Sequence, residues 1–305
     1  MNKSNCIREA YPLLVRLFCF SIALLILAAC EKTLAEDERD KEGGSKTITF
    51  SVMDIENQSL QPTRAIADLC NRLSLAIYDY YTGEKLMQVD QTNVDEDFGT
   101  IAVKLDQGAY RADIIGYTSE SAATMTSSSN KAVSFYNNIF TDVFYYTNSF
   151  TLGPANGTLN VNLKRATSVV RLEITGDMPS DAYRLDVRFC SPSLYFNPKT
   201  GLGCARHKMT FKKYFKQDVN TYDYYVFAMD SPQTLDSLVF TAYTNQEKVL
   251  RRLTYVKKID IAPNTLTLIK GDFFKTQLKS AISITDNWDS INEYAIPDED
   301  EIGQP

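Results

Sequence analysis

The sequence predicts an all-β protein made of two tandem antiparallel β-sandwiches, and three observations carry that prediction. From Lys46 onward apolar and polar residues alternate with period two, turn signals with Gly or Pro separate the runs at short spacing, and helical periodicity is weak throughout. The composition agrees. Of 305 residues, 44% are hydrophobic and 23% charged, with 18 Tyr and 16 Phe beside one Trp, which suits a globular β-rich chain and not a disordered one.

Residues 1–29 read as a leader. Lys3 and Arg8 precede the apolar run that begins at Leu13, and Arg16 interrupts that run. The uncharged stretch after Arg16 falls short of the about 20 residues a membrane-spanning helix needs, so the segment is expected to be a signal peptide. Its end, Leu27-Ala28-Ala29-Cys30, resembles the bacterial lipobox, in which the cysteine thiol receives a diacylglycerol before cleavage. Cys30 then becomes the first mature residue and the lipidation site. Each buried acyl methylene adds about 0.8 kcal/mol of membrane affinity, so several chains make a lasting anchor. The leader carries away Lys3, Arg8 and Arg16 against Glu9, leaving a remainder more acidic than the whole chain's formal charge of −6.

Residues 30–45 read as a flexible tether. Glu31 to Glu42 is charged and nearly free of bulky apolar residues, and Gly43-Gly44-Ser45 closes it. Such a stretch buries too little surface to offset its ordering entropy. An acidic tract just after a lipidated cysteine also resembles the surface-export signal of Bacteroidota lipoproteins, although a solvated linker has the same composition.

The first sandwich is expected over residues 46–165. Thr47 to Val52, Leu73 to Tyr78 and Ile101 to Leu105 alternate, Gly83 and Gly108 mark tight turns, and Ala109 to Tyr117 begins a further strand. The polar run Ser119 to Asn130 reads as a surface loop, and strand resumes from Val143. Gly157 to Arg165 and Ser168 to Ile174 alternate with no Pro or Gly between them, which places a boundary near Arg165. The second sandwich, residues 166–290, offers strands at Tyr183 to Phe189, Tyr222 to Met229, Leu238 to Tyr243, Val249 to Val256 and Thr265 to Ile269. Residues 291–305 read as an acidic, disordered tail, with Pro297 to Pro305 dominated by Asp and Glu.

Little in the chain suggests catalysis. One His cannot build a multi-imidazole metal centre, and an acidic chain lacks the clustered cations that nucleic acid demands, so no cofactor, metal or nucleic-acid partner is expected. The cluster Asp90, Asn93, Asp95, Glu96 and Asp97 has oxygens enough for calcium but lacks an EF-hand's glycine, and reads as a solvated hairpin end. Cys204 and His207 stand close in sequence but without the geometry of a nucleophile and base, and His207 reads as a loop residue. In an oxidising compartment Cys70, Cys190 and Cys204 remain after lipidation. Cys190 and Cys204 flank a turn region and are either a disulfide, stabilising by roughly 3 kcal/mol, or free thiols.

The lipobox ending at Cys30, the strand Leu75-Ala76-Ile77-Tyr78-Asp79 with its Gly83 turn and Phe98-Gly99 before the strand ending at Leu105 form a combination. To it belong Asp106-Gln107-Gly108-Ala109-Tyr110 leading to Gly116-Tyr117, the strand beginning near Arg165 and the closing Trp288. Over most of residues 46–290 it resembles the fimbrillin-like anchor and accessory subunits of Bacteroidota fimbriae. The resemblance implies two transthyretin-like sandwich domains and a lipoprotein of the outer membrane, exposed at the cell surface. Its implied partners are fimbrial shaft or accessory subunits, joined by β-strand complementation, in which one chain's strand completes a neighbour's sheet. In shaft subunits of that family an arginine protease cuts before the first domain. Pro62-Thr63-Arg64-Ala65 places Arg64 as a processing site or as a surface loop arginine. The alternative function is a glycan-binding outer-membrane lipoprotein of a nutrient uptake system, suggested by the same anchor and the many Tyr.

Overall fold

The computed structural model describes residues 44–55, 66–275 and 290–296. Cys30, Arg64, Trp288, the leader and residues 297–305 lie outside the described residues. The first half contains β1 (Lys46–Ile55), one helical turn α1 (Ile66–Leu69), β2 (Arg72–Asp79), β3 (Lys85–Thr92), β4 (Thr100–Leu105) and β5 (Gly108–Tyr117). It continues with β6 (Thr124–Met125), β7 (Val133–Ser134), β8 (Val143–Leu152) and β9 (Gly157–Arg165). Its strands run in the order β3-β2-β5-β8-β9-β1-β4, a sheet that folds over where β8 meets β9. Between the two layers lie Ile48, Phe50, Ile101, Val103 and Val161 on one side and Leu73, Leu75, Ile77, Ala112 and Ile114 on the other. Alternation in β4 follows directly: Ile101, Val103 and Leu105 face this core while Thr100, Ala102 and Lys104 face solvent. Each fully buried Leu, Ile or Phe there contributes about 1.5–3 kcal/mol.

The second half contains β10 (Ser168–Ile174), β11 (Ala182–Ser193), β12 (Phe196–Asn197), β13 (Leu202–Gly203), β14 (Arg206–Tyr214) and β15 (Thr221–Val226). After them come β16 (Gln233–Thr234), β17 (Ser237–Thr244), β18 (Val249–Val256), β19 (Asp260–Ile261), β20 (Thr265–Gly271) and β21 (Ser290–Ala295). Two sheets, β15-β10-β20-β21 and β14-β11-β17-β18, enclose Val170, Leu172, Leu185, Val187, Phe189, Phe240 and Ile269.

The two halves share one topology. Taken in chain order, the main strands of the first half stand as β4-β1-β9 over β3-β2-β5-β8, and those of the second as β15-β10-β20 over β14-β11-β17-β18. In both, the first strand pairs in parallel with the last, β1 with β9 and β10 with β20, so the sheets are mixed and not wholly antiparallel. A parallel pair needs a long crossover, and here the intervening strands supply it. β9 ends at Arg165 and β10 starts at Ser168.

The described residues from Ser45 on nevertheless form one compact unit. A third core explains it. Ala76, Tyr78, Ile115 and Tyr117 project from the outer face of β2 and β5 and meet Met125, Val133, Phe135 and Phe140, then Phe196 and Phe227 of the second half. Phe140 stacks on Phe227 with ring centroids 4.7 Å apart. A four-stranded sheet, β13-β12-β7-β6, combines the insertions of both halves, with Phe196 opposite Val133. β2 is therefore buried on both faces, which is why Leu73 to Tyr78 holds so few polar residues.

Three expectations need correction. Ser119 to Asn130 is not simply a surface loop, because β6 passes through it and Met125 is fully buried against the outer face of β5. His207 lies within β14, its cation-rich sequence having hidden a strand whose alternate residues Met209 and Phe211 pack inward. The tail does not begin at 291: β21 occupies 290–295, because Ile291 to Tyr294 pair with Leu266 to Ile269 and Ile296 is buried in the core. Of the two states left open for Cys190 and Cys204, the structure has free thiols. Cys190 is held in the β11 ladder opposite Lys208 and Ser237, whereas the Cys204 N–H donates to the Tyr195 carbonyl beyond β13.

Candidate functional site

The two halves differ at one equivalent sheet edge. In the second half the outer side of β20 is filled. β21 pairs with it in parallel from Thr265 opposite Ser290 to Lys270 opposite Ala295. The Asp260 N–H donates to the Tyr294 hydroxyl at 3.1 Å, and the Ile296 N–H donates to the Lys270 carbonyl at 3.3 Å. Gly271 lets Ile296 approach, since a Cβ there would lie 3.2 Å from the Ile296 Cβ. Among the described residues β21 has β20 as its only ladder neighbour, so its far edge is unpaired.

In the first half the equivalent side of β9 is nearly bare. β8 pairs with β9 only at Phe144 with Arg165 and Tyr145 with Lys164, after which the strands diverge. A cleft of about 400 Å³ opens between them, walled by Tyr146 and Asn148 of β8, Asn160 and Asn162 of β9, and the turn Lys199 to Gly201. Asn148 donates to the Tyr146 hydroxyl at 3.1 Å, so the wall is polar. Tyr145 packs edge-on against Phe196 at 5.0 Å, tying the cleft's closed end to the third core.

Behind β8 lies a buried charge. Asp113 accepts hydrogen bonds from Thr147 Oγ1 at 2.7 Å and Arg111 Nε at 3.1 Å, and the Arg111 guanidinium sits 4.0 Å above the Tyr78 ring. Burial pushes the Asp113 carboxyl above the ordinary carboxylate range, only partly offset by Arg111 and Thr147. These groups rigidify β5 and β8 and are enclosed, which suits a scaffold.

The residues singled out from sequence do not converge. Cys30 and Arg64 fall outside the described residues. Asp95 accepts from the Thr92 N–H at 2.7 Å and braces the start of the β3 to β4 connection, whereas Asp90 accepts from the Gln88 amide at 3.0 Å within β3. His207 Nδ1 lies 2.7 Å from the Ala205 carbonyl and its ring stands edge-on to Tyr195. Burial raises the Cys204 thiol above its ordinary value, the opposite of an activated nucleophile. Sequence reasoning missed the equivalent-edge contrast altogether; Ile291, Tyr294 and Ile296 were the available signal.

A family model described as a family of unknown function (DUF6562) matches residues 40–297. No curated protein matches the chain in sequence. Solved structures similar to it include a candidate polysaccharide-binding protein from Bacteroides thetaiotaomicron, with 12% identity and a TM-score of 0.49 over 70% of this chain and 80% of that one. A candidate adhesin from Bacteroides ovatus has 14% identity and a TM-score of 0.45, covering 70% and 77%. The fimbrial anchor protein Mfa2 from Porphyromonas gingivalis has 12% identity and a TM-score of 0.39, covering 68% and 81%.

Proposed function

The chain belongs to the family of unknown function DUF6562, and we propose that it is a cell-surface structural subunit, an anchor or accessory component of a fimbria, assembled by β-strand complementation. One observation carries the proposal: two halves of identical topology differ in that the outer side of β20 holds a C-terminal strand while that of β9 lies open beside a cleft. A strand supplied by a neighbour gains ladder hydrogen bonds and pockets for alternate side chains at such an edge. The lipobox at Cys30 and the acidic tether support attachment to outer-membrane lipid with the folded part held away from the bilayer. Arg64 precedes β2 and is the candidate for proteolytic processing, which for a lipid-held subunit releases everything after it.

Crosslinking on intact cells, followed by identification of neighbours, tests the reading. Recovery of fimbrial subunits in contact with residues 157–163 or 290–295 supports it. Recovery of only transporter components, with fimbriae unchanged in a deletion strain, overturns it.

A further inference from the structure

Charge is distributed unevenly between the halves. Residues 46–165 contain 9 Lys and Arg against 13 Asp and Glu, whereas residues 166–275 contain 16 against 11. The excess gathers on the outer face of the sheet β14-β11-β17-β18. Ladder register aligns Lys208, Cys190, Ser237 and Val256 in one row, then Thr210, Arg188, Val239 and Thr254, then Lys212, Asp186, Thr241 and Arg252. Residues paired across a ladder share a face, and Arg188, Lys208, Lys212 and Arg252 are all exposed.

The nearby carboxylates are engaged elsewhere. Asp186 and Glu247 both pair with Arg184, and Asp236 pairs with Arg206 at 4.0 Å. Lys212 adds to the field that holds the Glu247 carboxyl below its ordinary value, yet Glu247 remains bound to Arg184. Among the described residues no ion pair is recorded for Arg188, Lys208, Lys212 or Arg252. With a rise of about 3.4 Å per residue and strands about 4.8 Å apart, these four cations span a patch roughly 14 Å on a side.

We infer that this face binds a linear acidic polysaccharide, a polyuronate lying flat across the sheet. Four cations spread over a flat surface cannot converge on one phosphate, but they match a polymer with one carboxylate per sugar. Exposed Tyr214 in the next row presents a ring for a pyranose face, and Thr210, Thr254 and Ser237 present hydroxyls. Duplex DNA carries one charge per about 1.7 Å of axis, far denser than this grid.

The test uses the full-length chain in neutral detergent with polygalacturonate as probe, measured by affinity electrophoresis and titration calorimetry. Wild type is expected to be retained at low salt and released as salt rises. The triple variant R188A/K212A/R252A should bind about tenfold more weakly, and with a shallower salt dependence. R188K/R252K, which keeps every charge, should bind within about twofold of wild type. Equal retention of wild type and the triple variant overturns the inference. So does tighter binding of duplex DNA, or of phosphatidylglycerol vesicles, than of polygalacturonate at equal charge concentration.

Discussion

Asp142 accepts a hydrogen bond from Arg165 Nε at 2.8 Å, where the first half of the chain passes into the second. Thr167 Oγ1 donates to the same carboxylate at 2.7 Å, Arg165 reaches Asn264 at 3.2 Å, and the Asn264 N–H donates to the Thr167 carbonyl. Asp142→Ala leaves Arg165 and Thr167 without this acceptor in a partly buried site, and is expected to destabilise by about 3 kcal/mol. Urea unfolding of the single variants and of D142A/R165A should give a coupling above about 1 kcal/mol. Additive losses would show that the pair is not the clasp.

Asp113 makes stability depend on pH in a stated direction. Its folded carboxyl holds a proton more tightly than the unfolded one, whose ordinary value is about 3.9, because burial outweighs Arg111. The native state therefore binds more protons within that window, and the contribution is present at low pH and falls as pH rises through the folded value. In thermal melts from pH 3.5 to 7, wild-type stability minus that of Asp113→Asn should decline with pH and then level. A rising difference contradicts the assignment.

The three described thiols should differ in reactivity. Cys70 is buried, its thiol donates weakly to the Ile66 carbonyl, and burial pushes it up to about 12, so little thiolate exists at neutral pH. Iodoacetamide at pH 8 without reductant, followed by peptide mapping, should label Cys190 and Cys204 in the native chain and Cys70 only after denaturation. Protection of Cys190 and Cys204 together, reversed by reductant, would mean that they form a disulfide.

Gly203 sits in the sheet that joins the halves. A Cβ there would stand 2.4 Å from the Ser193 Cβ and 3.1 Å from the Phe227 carbonyl, neither of which is the end of a flexible chain. Gly203→Ala should cost about 3 kcal/mol, at the upper end of overpacking effects. The loss should appear in hydrogen exchange first at β12, β13 and the Ser193 to Phe227 bridge. A variant as stable as wild type would mean that this contact yields easily.

Much of the fold is written in local pattern. β4 and β9 are legible from sequence, because side chains alternating between core and solvent leave a period of two in the chain itself. β14 was missed because its outward residues, Arg206, Lys208, Thr210 and Lys212, are mostly cations that disguise the inward Met209 and Phe211. β21 was missed because Pro297 to Pro305 gave the whole end of the chain an acidic, unstructured look.

The sequence by itself determined an all-β chain, since period-two alternation depends on residues adjacent in the chain. Only the tertiary structure decided that the two halves share a topology, that Phe135 and Phe140 pack on Phe227, and that the outer side of β20 is filled while that of β9 is open. It also gathered Arg188, Lys208, Lys212 and Arg252 on one face of an acidic protein. These relations join residues tens of positions apart through ladder register and packing, and no local period encodes which strand pairs with which.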